Sequence, residues 1–358
     1  MYSLQEQVHL CFARLDYLVA RLRRHIRPET SVKTKVKVTL MGHSVGAYIA
    51  LEMVRLWHER ERRQHGSETD NGSTTGYIDL STSASNTTPR PRPHSIPNPT
   101  RTCTTRPYPE WSIPSAILLT PTIQDLHLSS SGRIATPLLT YLPFLPLFAQ
   151  SIVSNVLTAL LPRACLVRLV QSATGTQPGS HGLEATMAFL ESRSGVRQAL
   201  EMAACELREI RAERWGEEVW GASHHDRVDR LDQRRSSEGD AGGGNRSTTT
   251  VTSPRLFFWF AKQDHWVADV TREEILRERG RGRGGLVERT DHLGEVTGRI
   301  AAETPTAHFR IDETDGLVHA WCLTQSELVA KRVGPWLRVG FDEEERGGGR
   351  GTAQRETC

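Results

Sequence analysis

The sequence predicts an α/β fold with a mostly parallel sheet, and two observations carry that expectation. Short strand-like runs alternate along the chain with longer segments of helical spacing, the order that sends parallel strands through crossover helices. The inner runs, such as Pro114-Ser115-Ala116-Ile117-Leu118-Leu119-Thr120 and Arg255-Leu256-Phe257-Phe258-Trp259-Phe260-Ala261, are short and continuously apolar. That suits strands covered on both faces.

In chain order, residues 3–25 read as an amphipathic helix, because Val8, Phe12, Leu15, Leu18, Val19 and Leu22 recur at helical spacing. Ser3 with Glu6 fits a capping box at its start. Residues 34–40, Thr-Lys-Val-Lys-Val-Thr-Leu, alternate and are β-branched, so they read as a strand. A helix follows over 45–63. Further strands are expected at 114–120, 255–261 and 306–311, helical and charged chain at 183–220, and a closing helix at 323–338. Residues 279–305 read as a Gly/Arg-rich connection.

The apolar fraction is 37% of 358 residues, low for a fully packed globule, and the deficit is concentrated. Residues 64–112, with Pro89, Pro91, Pro93, Pro97 and Pro99, and residues 221–253, with Gly242-Gly243-Gly244, bury too little apolar surface to offset their ordering entropy. They are expected to be disordered insertions. The organisation that results is a core segment at 1–63, an insertion at 64–112, and core again at 113–133. An apolar and helical region at 134–220, an insertion at 221–253, core at 254–340 and a disordered tail at 341–358 complete it. A net charge of +3, with basic residues scattered among acidic ones, gives no basis for nucleic-acid binding. The six cysteines form no C-x-x-C pair, and neither a disulfide framework nor a zinc site is expected. A reduced intracellular compartment is the default. The N-terminus lacks the order of a secretory signal, and no apolar run is long enough for a spanning helix. No Gly-rich phosphate-cradling loop follows a strand, so no cofactor is expected.

The chemistry centres on Gly42-His43-Ser44-Val45-Gly46, which follows a predicted strand and opens a predicted helix. That is the context of a nucleophile elbow: a sharp, strained corner that exposes the serine hydroxyl. Glycines on either side of the serine are expected to let strand and helix approach closely. The Val45 N–H is the expected oxyanion donor. A serine nucleophile needs a base, and the base an orienting acid, in the chain order Ser, Asp or Glu, His for an α/β-hydrolase fold. Asp264, just past the strand ending at Ala261, is the preferred acid, with Asp125 as alternative past the end of the earlier strand. The downstream base candidates are His265, His292, His308 and His319. His319 is preferred, because it lies after the last strand and before the last helix.

Together these segments resemble the lipid droplet-associated hydrolase family in its fungal form. The resemblance rests on Met41-Gly42-His43-Ser44-Val45-Gly46-Ala47-Tyr48 and on Pro121-Thr122-Ile123 with Gly132-Arg133 and Thr136-Pro137. It rests further on Asp264-His265-Trp266 and Val318-His319-Ala320. It implies an α/β-hydrolase fold, a Ser–Asp–His triad of Ser44, Asp264 and His319, and a role in neutral lipid turnover. It also implies lipid droplet association but does not supply a substrate; the expected partners are a lipid ester and the droplet monolayer or endoplasmic reticulum surface, with a cytoplasmic location otherwise. The chain departs from that pattern at its start. Only one helix precedes the elbow strand, where the fold should have several strands and a loop after an early strand that donates a second oxyanion N–H; the missing part would include the Pro-Gly-Asn-Pro-Gly type segment of the family. The expectation is an N-terminally truncated chain, poorly soluble and almost inactive alone.

The run from Leu138 to Pro162 is strongly apolar, but Pro143, Pro146 and Pro162 break any long helix and Ser154, Asn155 and Thr158 interrupt it. It suits an interfacial hairpin in a lipid monolayer or a cap over an active site. Two functions remain open: a serine esterase acting on lipid acyl esters, and a non-catalytic droplet-bound protein that keeps the fold.

Overall fold

The computed structural model describes residues 2–25, 36–69, 111–220, 253–279, 285–290 and 309–348. The expected insertions at 64–112 and 221–253 fall mostly outside the described residues; of their described parts, 64–69 is helical and 111–112 belongs to a strand, contrary to expectation. His292, His308 and residues 349–358 also lie outside the described residues.

The strands are β1 (Val36–His43), β2 (Trp111–Leu119), β3 (Arg255–Ala261), β4 (Gly285–Thr290) and β5 (Phe309–Thr314). They form one sheet in the order β1-β2-β3-β5-β4, and every pairing is parallel. The main helices are α1 (Leu4–His25), α2 (Val45–Thr69), α3 (Ser130–Tyr141), α4 (Leu145–Ile152), α5 (Arg163–Thr174), α6 (His181–Glu191), α7 (Gly195–Glu209), α8 (Asp269–Glu278) and α9 (Ser326–Gly348). The parallel α/β architecture is therefore the one expected.

Alternation along the inner strands builds two cores. Ala116 and Leu118 of β2, Leu256, Phe258 and Phe260 of β3, and Ile311 of β5 face the larger core, where α1 and α2 pack with Trp215 and Trp220. The intervening Ile117, Leu119, Phe257 and Trp259 face α9, which presents Val329, Val333 and Trp336 at helical spacing. Complete burial of such side chains stabilises by roughly 1.5–3 kcal/mol each, so the inner strands hold the sheet together. The helix α9 is also fixed by Arg332, whose Nε donates to the buried Asp312 carboxylate of β5 at 2.8 Å.

Several boundaries differ from expectation. The strand β4 lies inside the stretch read as a Gly/Arg-rich connection. The expected strand at 306–311 is displaced to Phe309–Thr314. The helix α2 runs to Thr69 and α9 to Gly348, past the expected ends at 63 and 338. The α9 extension carries Glu343-Glu344-Glu345-Arg346, which are good helix formers. The capping box on α1 is present, with Ser3 N–H donating to Glu6 at 2.7 Å and Glu6 N–H to Ser3 Oγ at 3.2 Å. Leu18 and Leu22, read as part of the apolar stripe of α1, are exposed; the buried face is narrower and centred on Val8 and Val19.

Candidate functional site

The carboxyl ends of parallel strands are where this kind of sheet presents its ligands, and four loops converge there. The strand β1 ends at His43, and Ser44 forms the corner into α2. Its φ is 54°, the left-handed region that a non-glycine residue occupies only under local strain. Backbone bonds hold the corner: Ser44 N–H donates to the Leu119 carbonyl at 3.1 Å, and the Ser44 carbonyl accepts from Ala47 N–H at 2.9 Å. Val45 opens α2, so its N–H belongs to the helix's first turn, where donors have no intrahelical carbonyl.

The two glycines of the motif differ in what they do. A Cβ at Gly42 would lie 2.2 Å from the Gly46 carbonyl oxygen, so the strand–helix approach requires glycine there. A Cβ at Gly46 would meet nothing within 4 Å. The expectation that both glycines are needed for close approach is corrected to Gly42 alone. Gly42→Ala should therefore lower stability by about 1–3 kcal/mol or more, as over-packing does, while Gly46→Ala should melt close to the parent. Paired thermal unfolding curves check this, and equal melting of the two variants would contradict it.

Asp264 follows β3 and is 7% exposed. One carboxylate oxygen, Oδ1, accepts from the backbone N–H groups of Trp266 at 2.8 Å and Val267 at 3.2 Å. The other, Oδ2, lies 2.9 Å from His319 Nδ1. His319 Nε2 lies 2.8 Å from Ser44 Oγ. The three residues that sequence order selected are thus in one hydrogen-bonded line, from strands whose loops are 55 and 275 residues apart. A carboxylate oxygen only accepts, so the proton sits on Nδ1 and Nε2 is free to take the serine proton.

Asp125 is not part of this line. It has a φ of 51° and its carboxylate accepts from Thr271 Oγ1 at 3.2 Å. The His265 ring is exposed, while its carbonyl accepts from Ser131 N–H at 2.8 Å and so ties the Asp264 loop to the start of α3. Asp269 is the first residue of α8 and pairs with Arg272 at 3.0 Å. Arg272 is buried and also donates to the Lys262 carbonyl at 2.7 Å, bracing the loop that carries Asp264.

Three further residues shape the site; two of them, Gly132 and His43, lie in the motifs quoted above, but none of the three takes a role from the sequence alone. Gln325 clamps the His319 loop, accepting from Val318 N–H at 3.0 Å and donating to the Gly316 carbonyl at 2.9 Å. Gly132, already noted as part of a motif, has no room for a side chain: a Cβ would lie 1.9 Å from the Leu126 carbonyl oxygen. His43 lies beside His319, with its pKa lowered chiefly by burial. None of the three could be found from spacing, because each depends on a contact made only in the folded chain. Among the described residues, no group of three or more His, Cys, Asp or Glu is arranged to hold a metal ion.

Neither the search of curated proteins nor that of solved structures found a match. A family model described as lipid-droplet associated hydrolase matches residues 1–322, a span that takes in the Ser44 corner, Asp264 and His319 and ends just beyond the histidine loop. The match covers most of the chain, and the chain belongs to the lipid-droplet associated hydrolase family.

Proposed function

We propose that the chain is a serine hydrolase of the α/β-hydrolase fold that cleaves acyl esters of lipids at the droplet surface. The observation that supports it most is the unbroken line from Asp264 Oδ2 through His319 to Ser44 Oγ. In this reading His319 Nε2 takes the proton as Ser44 Oγ attacks the acyl carbonyl. Asp264 holds the imidazole in the required tautomer and stabilises the imidazolium that forms. The Val45 N–H, at the positive end of α2, donates to the oxyanion. His319 then gives its proton to the leaving alcohol, and a water repeats the sequence on the acyl-enzyme. A fluorophosphonate probe tests this: it should label wild-type protein at Ser44 alone, as read by peptide mass. Folded protein that fails to react would favour a non-catalytic droplet-bound protein instead.

The lipid surface has its own candidate. No single helix among the described residues is long and apolar enough to cross a membrane. The pair Ser130–Tyr141 and Leu145–Leu160 passes that test together, but bends by 102° at the break. Along it Ile134, Tyr141 and Leu160 are 72%, 79% and 74% exposed, and Phe144, Leu147 and Phe148 are exposed too. A bent apolar pair suits a hairpin lying in a monolayer better than a closed cap, whose apolar residues would be covered by protein. Charges at Phe148 and Leu160 should therefore lower binding to phospholipid-coated triacylglycerol droplets about tenfold or more, given the apolar burial each forfeits. Flotation measures it, and unchanged binding would place the anchor elsewhere. Leu145 and Leu157 are poorer sites for such charges: both are partly buried, and Leu157 packs against the cluster of Leu166, Val170, Leu183 and Met187.

A further inference from the structure

We infer that His43 is a positioning residue that tethers the backbone of the His319 loop to the nucleophile strand, an assignment that rests on reading Ser44, His319 and Asp264 as the catalytic triad. The loop carrying His319 leaves β5, while Ser44 directly follows β1, and β2 and β3 lie between those strands in the sheet. At about 4.8 Å per strand the loop reaches back across roughly 14 Å. Gln325 braces the loop only against itself. Asp264 holds the imidazole, not the main chain.

The main-chain tether comes from the residue before the nucleophile. His43 Nε2 lies 2.8 Å from the His319 carbonyl oxygen. A carbonyl oxygen only accepts, so Nε2 carries the proton and donates. The His43 ring lies between two rings of that loop, with centroids 5.4 Å from His319 and 5.0 Å, edge-on, from Trp321. Burial is the main influence on its pKa and lowers it, which favours the neutral ring with a single N–H. A neutral donor at this place holds the loop without setting a second positive charge beside His319 when that residue takes the serine proton. Because Ser44 and His43 are adjacent, the nucleophile and the backbone of its base share one anchor. A displacement of about 1 Å in such an arrangement can cost on the order of 10²-fold in rate.

The test compares the full chain with His43→Phe, which keeps a ring against Trp321 but has no donor, and His43→Gln, which restores an N–H donor. Hydrolysis of p-nitrophenyl butyrate and fluorophosphonate capture of Ser44 are measured on each. His43→Phe should lower kcat about 10–100-fold with KM within about twofold, the pattern of lost positioning rather than lost binding. His43→Gln should recover most of that loss. Should the phenylalanine variant melt early, His43→Leu serves as the second variant without a donor. Wild-type kcat in a donor-less variant, or equal impairment of donor and non-donor variants, would overturn the tether. Wild-type protein that fails to label would sink the triad reading itself, whereas labelling of wild type and donor-less variant at one rate sinks only the role of His43.

Discussion

Ser44→Ala should abolish ester hydrolysis and leave the fold intact. The serine hydroxyl's hydrogen bond is to His319 Nε2, and no core side chain is lost with it. The corner itself is a backbone feature: the 54° φ is held by the bonds to Leu119 and Ala47, which an alanine retains. Alanine occupies that left-handed conformation at a cost similar to serine's, so the melting temperature should barely move. The rate should fall on the order of 10⁶ in kcat, the size of effect seen when a triad loses its nucleophile. In the proposed mechanism the three groups act as a unit, so the double variant Ser44→Ala/His319→Ala should be little worse than either single change. Retained hydrolysis by purified Ser44→Ala protein would remove Ser44 as the nucleophile, and equally large, additive losses in the double variant would argue that the two residues do not act together.

The residues of this site were legible to different degrees, for physical reasons. Ser44 announced itself because a strained strand–helix corner imposes local sequence demands, above all at Gly42. Asp264 and His319 stood out as candidates because a parallel sheet collects its strand ends on one side, so chain order and strand-end position narrow the choice. Asp125 satisfied the same criterion, and only its three-dimensional partner, Thr271, separates it. His43 and Gln325 left no such trace: each acts through a main-chain contact with the His319 loop, and in His43 the partner is 276 positions away. The strand β4 was missed because it lies at the sheet edge with only Leu286 and Val287 as an apolar pair, flanked by Glu288 and Arg289. Edge strands carry charges that blur the strand pattern. Leu18 and Leu22 erred in the opposite direction, since helical spacing states which residues share a face but not how much of that face is covered.

Asp264→Asn should lower kcat by about 10⁴, and the geometry says why an isosteric change is so costly. Trp266 and Val267 aim two backbone N–H groups at Oδ1, so the single carbonyl oxygen of an asparagine must stay on that side to satisfy them. The amide NH₂ then faces His319 Nδ1 where Oδ2 had accepted. Two donors cannot bond, so the imidazole moves its proton to Nε2 and leaves Nδ1 bare. Nε2 now offers a proton to Ser44 Oγ instead of receiving one, and the base is lost although no atom has moved far. The same exchange at Asp125 has no such consequence. Its Oδ2 accepts from the Thr271 hydroxyl, an asparagine carbonyl accepts equally well, and asparagine tolerates the left-handed backbone found there. Asp125→Asn should therefore retain near-parental kcat. Steady-state hydrolysis by the two variants, measured beside their melting temperatures, separates the two carboxylates. A large loss at Asp125 with activity kept at Asp264 would mean that the acid lies at the end of β2 rather than β3.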